Sequence, residues 1–125
     1  MAHERTLDEI QKAIRAHGMW KLRLKTAIAS GASDVSPDVV GCDHLCDFGK
    51  WLYDETMPVA TQNGMPYKVV KRLHAEFHQT AAVVLKTALA GNTSKARELL
   101  DGGFAEQSDK LVRALTLWKT ELRNG

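Results

Sequence analysis

Apolar side chains recur at intervals of mostly three and four residues in three segments of this chain, and the first of these stripes contains a histidine. The first stripe is Leu7, Ile10, Ile14, His17, Lys21, Leu24 and Ile28. The later stripes are Val70, Leu73, Phe77, Ala81, Val84 and Ala88, and then Ala96, Leu99, Leu100, Phe104, Leu111, Leu115, Trp118 and Leu122. This spacing is typical of the buried face of an amphipathic helix. An all-α fold is therefore predicted.

Turn-forming residues divide the chain into four predicted helices. Glycine, serine and proline between residues 29 and 41 predict a loop after the first helix. A short second helix is predicted at 43–56, and a long third helix at 67–90 follows two prolines. The last helix is predicted to begin near Thr93 and to kink or break at the glycine pair 102–103. The predicted architecture is an antiparallel four-helix bundle.

Length and charge exclude several classes of protein. A chain of 125 residues is the usual size of one domain, so residues 1–125 are predicted to form a single domain with its own core. The 17 basic and 15 acidic residues are interspersed, which provides no basic patch for nucleic acid. No apolar run approaches the roughly 18 residues that span a membrane, and the N-terminus lacks a secretion signal. We expect a cytoplasmic protein with neither nucleic acid nor membrane as partner.

Four residues on the predicted buried faces are candidate metal ligands. His74 and His78 lie four residues apart, so their imidazoles can reach a single point. His17 lies where Leu or Ile is expected, and Gly49 shares the predicted helical face of Cys46, which would let another helix approach the thiol. Taken singly, a histidine on an apolar face such as His17 is usually a hydrogen-bonded core residue, and Cys46 is also compatible with a small buried hydrophobe. Together they provide the four donors of a closed tetrahedral zinc site.

Other metal chemistries fit the sequence less well. A zinc hydrolase needs an open coordination position and a carboxylate base, but Glu76 lies about 200° around the helix from each neighbouring histidine and should point away. The chain has neither the Glu-x-x-His pairs of a di-iron bundle nor a C-x-x-C-H haem motif. We therefore predict no catalytic residues, and zinc as the cofactor.

Two neighbours of Cys46 have open roles. Cys42 is expected to lie at the start of the second helix, with a resolving thiol or a substitute ligand as alternatives. His44 is expected to face solvent or to support the site from outside. In a reducing cytoplasm, the two cysteines are more readily metal-binding, reactive or buried than joined in a disulfide.

Three motifs occur in order along the chain: H-x-x-W at residues 17–20, C-x-F-G-x-W at 46–51 and H-x-x-x-H at 74–78. In this arrangement the sequence resembles the chemoreceptor zinc-binding (CZB) domain of bacteria, over essentially its whole length. In that family a helical bundle binds zinc through three histidines and one cysteine. The resemblance implies that the zinc ligands here are His17, Cys46, His74 and His78.

The resemblance also implies a function. CZB domains are attached to chemoreceptors and to diguanylate cyclases that zinc inhibits. We expect a zinc-binding regulatory or sensor domain of bacterial signal transduction, acting in chemotaxis or cyclic-di-GMP control, that responds to zinc availability or to oxidation of Cys46. The alternative is a purely structural, zinc-stabilised dimerisation module.

Two kinds of partner are expected. One is a signalling output domain or partner protein of the chemoreceptor or diguanylate cyclase type. The other is a second copy of the chain, because the resemblance implies a dimer. The last helix also carries more apolar surface than a small bundle readily hides, namely Phe104, Leu111, Leu115 and Trp118.

Overall fold

The computed structural model describes the backbone of residues 2–124 and the side chains of residues 4–124, and every regular element in this range is helical. The α-helices are α1 (Ala2–Gly18), α2 (Trp20–Ser30), α3 (Pro37–Val40), α4 (Asp47–Leu52), α5 (Val59–Gln62), α6 (Met65–Leu89), α7 (Thr93–Leu99) and α8 (Ala105–Asn124). A π-helical segment, Leu100–Phe104, joins α7 to α8.

All of these elements except α5 belong to four arms that alternate in direction. The first arm is α1 with α2, the second is the run of short helices from α3 to α4, the third is α6, and the fourth is α7 with α8. Tyr67, near the start of α6, contacts Trp118, near the end of α8, with ring centroids 6.3 Å apart. The second arm runs from Val40, which contacts the middle of α6, to Trp51, which contacts Trp118. The predicted antiparallel four-helix bundle with a short second arm is confirmed.

The first arm is interrupted at Met19, where one continuous helix was predicted. The amide nitrogen of Met19 lies 3.2 Å from the backbone oxygen of Arg15 and 3.3 Å from that of Ala16, which tightens the local turn. The prediction that Lys21 belongs to the buried stripe is wrong. Lys21 is exposed, whereas Leu24 after the joint is buried.

The second arm is shorter than predicted. Its helix α4 begins at Asp47 and ends at Leu52, so only the middle of the predicted helix 43–56 is regular. The third arm matches its prediction closely, because every member of its apolar stripe is buried: Val70, Leu73, Phe77, Ala81, Val84 and Ala88.

The predicted irregularity of the last arm takes the form of the π-helical segment, through which the helix continues. The widened turn accommodates an additional residue without ending the helix. The apolar residues that were expected to supply a dimer surface are all buried inside the bundle: Phe104, Leu111, Leu115 and Trp118. That argument for a dimer was therefore wrong, since one chain hides these side chains by itself.

Candidate metal centre

Three imidazoles and one thiol from three different arms converge in the core. His17 comes from α1, Cys46 from the residue before α4, and His74 and His78 from α6. Nε2 of His74 lies 3.1 Å from Nε2 of His17, 3.1 Å from Nε2 of His78 and 3.3 Å from Sγ of Cys46. All four donor atoms lie within 4.8 Å of one another. For comparison, two nitrogens about 2.0 Å from a tetrahedral zinc ion are about 3.3 Å apart.

Two of the imidazoles are oriented by backbone carbonyls. Nδ1 of His17 lies 2.7 Å from the oxygen of Ala13, and Nδ1 of His78 lies 2.9 Å from the oxygen of Val40. Because a carbonyl can only accept, both Nδ1 atoms must carry the proton and donate it. Their Nε2 atoms are then unprotonated and present lone pairs to the centre of the cluster. Such outer hydrogen bonds are the usual means of fixing the tautomer of a metal-bound histidine.

The hydrogen bonding of the third imidazole, that of His74, indicates whether a cation would fit at the centre of the cluster. Its Nδ1 is buried and has no hydrogen-bond partner among the described residues. Its Nε2 faces the lone pairs of both His17 and His78, but a single proton there could satisfy only one of them at a time. Buried lone pairs that face one another are costly unless a proton or cation lies between them. A donor set of three nitrogens and one sulfur is the set that zinc accepts.

The thiol is positioned by the start of α4. Cys46 is the N-cap residue of this helix, and the amide of Gly49 donates to its Sγ across 3.3 Å. The sequence-based expectation that Gly49 admits another helix is wrong. A Cβ atom at position 49 would lie 1.7 Å from the backbone oxygen of Asp43, so the glycine makes room for the turn that precedes its own helix.

Burial sets the protonation of the cluster. It lowers the pKa of His17 to about 4 and the pKa of His74 to about 2. It also lowers the pKa of His78 and raises the pKa of the Cys46 thiol. At neutral pH the imidazoles are therefore neutral and able to bind a metal, whereas the thiol must release its proton when it does so.

Aromatic rings enclose the imidazoles. Phe48 contacts His74 edge-on with ring centroids 5.2 Å apart, and Phe77 contacts His17 in the same manner at 5.1 Å. The ring centroid of Trp20, in the H-x-x-W motif, lies 6.4 Å from that of His78. These apolar walls exclude water, which strengthens electrostatic interactions at the centre.

The other residues considered from the sequence lie outside the cluster. Sγ of Cys42 donates to the backbone oxygen of Asp38 across 3.3 Å, and both cysteines are free thiols. His44 is exposed, as predicted. Oε1 of Glu76 lies 3.9 Å from Nη1 of Arg72 on the same helix, as an ion pair. Glu76 does not belong to the cluster.

Sequence reasoning missed the groups that orient the ligands. The oxygens of Ala13 and Val40 are backbone atoms, which every residue carries, so no sequence signal could reveal them. The glycine at position 49 did indicate a close contact. The partner that we expected from the sequence was another helix, whereas the structure shows the backbone of Asp43.

Comparison with known proteins identifies a family. The sequence profile of the chemoreceptor zinc-binding domain matches residues 17–85, more than half of the chain and a range that contains the whole cluster. No curated protein and no solved structure shows significant similarity to the chain. Among the described residues, no helix has the length and apolar character required to cross a membrane.

Proposed function

The chain belongs to the chemoreceptor zinc-binding domain family, and on this basis we propose that it is the zinc-dependent regulatory domain of a bacterial signalling system. Zinc is the cofactor of this family, and the cluster in the core is able to hold a metal ion. In this proposal the zinc ligands are His17, Cys46, His74 and His78, and residues 1–125 act as one domain.

The convergence of four donor atoms from three arms carries this proposal. Nε2 of His17, His74 and His78 and Sγ of Cys46 lie within 4.8 Å of one another in a buried environment. A site with four protein donors leaves no open position for a substrate or an activated water, which is the arrangement of structural and regulatory zinc sites. We accordingly propose a regulatory role and no enzymatic activity.

Zinc in such a site would couple the arms. The ion would link α1 and the start of α4 to α6, so its loss would remove a strong interaction that these three elements share. Packing of the first two arms against α6 would then loosen, and an attached output domain could respond to this change. The output partner in this proposal is of the chemoreceptor or diguanylate cyclase type.

Oxidation of Cys46 offers a second input to the same site. A zinc-bound thiolate is the one ligand of the four that a peroxide converts readily to a sulfenic acid, with loss of water or hydroxide. Cys46 is half-buried, whereas the residues His17, His74 and His78 are buried. Loss of one donor would lower the affinity for zinc.

A second copy of the chain is the other proposed partner, since CZB domains often act as dimers. Met65 and Leu117 are 72% and 60% exposed, and they line a shallow cleft between α6 and α8 together with Val69 and Ala114. Unlike the buried residues of the last arm, these side chains are available to a neighbour. We propose this cleft as the dimer surface.

Metal analysis of the purified protein tests the assignment of the ligands. We expect one zinc per chain in the wild type and a sharp loss of zinc in His74→Ala and His78→Ala. The matched control is His44→Ala, which removes an exposed histidine two residues from Cys46 and should retain full occupancy. Full occupancy in both His74→Ala and His78→Ala would refute the site.

The purely structural alternative makes a different prediction for metal removal. If zinc only stabilises the fold, a chelator should melt the helices, and circular dichroism should report loss of helical signal at constant temperature. If zinc regulates, the helical signal should persist while the arms rearrange. A chain of this length has a core large enough to favour the second outcome.

A further inference from the structure

Tyr53, the residue after α4, is hydrogen-bonded to the turn before α4. Its hydroxyl donates to Oδ2 of Asp43 across 2.6 Å. Burial and the hydrogen bond to Asp43 raise the pKa of Tyr53 to about 12, so the hydroxyl remains a donor at neutral pH. From α6, the ammonium of Lys71 lies 4.8 Å from the centre of the Tyr53 ring, a cation–π contact that helps to fix the ring.

Asp43 faces the metal centre with its backbone. Its carbonyl oxygen lies 3.9 Å from Sγ of Cys46 and fills the space above Gly49. The side chain of Asp43 is therefore hydrogen-bonded to Tyr53, just after the end of α4. The backbone of Asp43 contacts the thiol of Cys46, just before the start of α4.

Apart from the hydrogen bonds at Cys46, where the amides of Gly49 and Lys50 donate to its Sγ and to its backbone oxygen, few interactions among the described residues hold the intervening turn. Between Asp43 and Cys46, His44 and Leu45 are exposed to solvent. The amide of Leu45 lies 3.5 Å from the oxygen of Cys42, which is a long hydrogen bond. The side chain of Asp43 is the part of this turn with a short, charge-assisted hydrogen bond, a stronger class than bonds between neutral groups.

We propose that Tyr53 and Asp43 are a positioning pair that holds the turn 43–46 closed and so keeps Sγ of Cys46 directed at His74. When their hydrogen bond opens, the turn moves away from Gly49 and the thiol leaves the cluster. The pair thereby sets how fast zinc dissociates and how readily reagents reach Cys46. The part concerning zinc rests on the proposed function, whereas the part concerning access to the thiol does not.

Two tyrosine variants provide a matched test. Tyr53→Phe removes the hydroxyl and keeps the ring over which Lys71 lies. The control, Tyr67→Phe, also removes one hydroxyl, which donates across 2.6 Å to the backbone oxygen of Leu52, away from the turn. The first measurement is the rate at which zinc passes to a chelating dye. We expect about a fivefold faster release in Tyr53→Phe and little change in Tyr67→Phe.

The second measurement uses metal-free protein and separates the pair from the zinc proposal. In a Cys42→Ser background, alkylation by iodoacetamide reports on Cys46 alone. Tyr53→Phe should accelerate this reaction about fivefold under conditions where urea unfolding shows both proteins to be folded. If the wild type binds no zinc but this acceleration is seen, the proposed function fails and the positioning pair stands.

A double-mutant cycle completes the test. If the two residues act as a pair, Tyr53→Phe should have no further effect on alkylation in an Asp43→Ala background. Independent, additive effects of the two substitutions would overturn the proposal. An alkylation rate for Tyr53→Phe no greater than that for Tyr67→Phe would also overturn the proposal.

Discussion

The backbone oxygen of Asp43 occupies the space that a side chain at position 49 would need. A Cβ atom there would lie 1.7 Å from this oxygen and 3.0 Å from Cα of His44. Both contacts are with backbone, which cannot swing aside as the end of a flexible side chain can. Gly49 thus lets the turn before α4 fold back onto the helix, and this places Cys46 beside the three buried histidines of the cluster.

Replacement of Gly49 should therefore destabilise the protein. Gly49→Ala forces the turn and the helix apart, and we expect a loss of roughly 2 kcal/mol in the free energy of unfolding, with reduced zinc content. Urea denaturation and metal analysis measure the two effects. Gly102→Ala is the control, because a Cβ at position 102 meets nothing within 4 Å. Equal stability of Gly49→Ala and the wild type would contradict the contact.

Acid should destabilise the metal-free protein. Burial lowers the pKa of His17 to about 4 and that of His74 to about 2 in the folded state, whereas an unfolded histidine titrates near 6.5. Below pH 6.5 these histidines bind protons in the unfolded chain but stay neutral in the folded chain. Stability should be fully present above pH 6.5 and fall between about pH 6.5 and 4, by about 1.4 kcal/mol per pH unit for each such histidine.

Thermal or urea unfolding at a series of pH values measures this dependence. His17→Gln removes one of the histidines responsible and should flatten the profile in this range. His44→Gln removes an exposed histidine and should leave the profile as in the wild type. A wild-type profile that is flat from pH 7 to about pH 4 would exclude the buried, neutral imidazoles.

Oxidants should release zinc through Cys46 rather than Cys42. In the proposed function, peroxide would convert the zinc-bound thiolate of Cys46 to a sulfenic acid, with release of water or hydroxide, and one ligand would be lost. Zinc release to a chelating dye should proceed in Cys42→Ser, since this thiol lies outside the cluster. Mass spectrometry should locate the first oxidised sulfur at position 46. If Cys42→Ser abolishes release while Cys46 remains unmodified, the assignment is wrong.

Charge placed in the cleft between α6 and α8 should prevent dimerisation. Leu117→Glu introduces a carboxylate among Met65, Val69 and Ala114, which a second copy would have to bury without a partner. Sedimentation at tens of micromolar should show a wild-type dimer and a monomeric Leu117→Glu. The control, Val83→Glu, changes an exposed apolar residue elsewhere on α6 and should remain dimeric. A monomeric wild type would refute the dimer.

Much of the architecture followed from the sequence because helical geometry is local. Residues three and four apart share a face whatever the rest of the chain does, so the buried stripe of α6 could be predicted from spacing alone. The same geometry placed His74 and His78 together, and the interruption of an apolar stripe singled out His17. Cys46 was singled out by its predicted buried position, and the family resemblance then implied the same set of four ligands.

What the tertiary structure decided depends on contacts between segments that lie far apart in sequence. Burial of Trp118 depends on Trp51 and Tyr67 from two other arms, so its stripe alone could not show whether one chain or two would cover it. The start of α4 depends on how the turn at Asp43 folds back onto Gly49. The carbonyl oxygens that orient His17 and His78 belong to a backbone common to all residues, so only the fold determines which of them meet an imidazole.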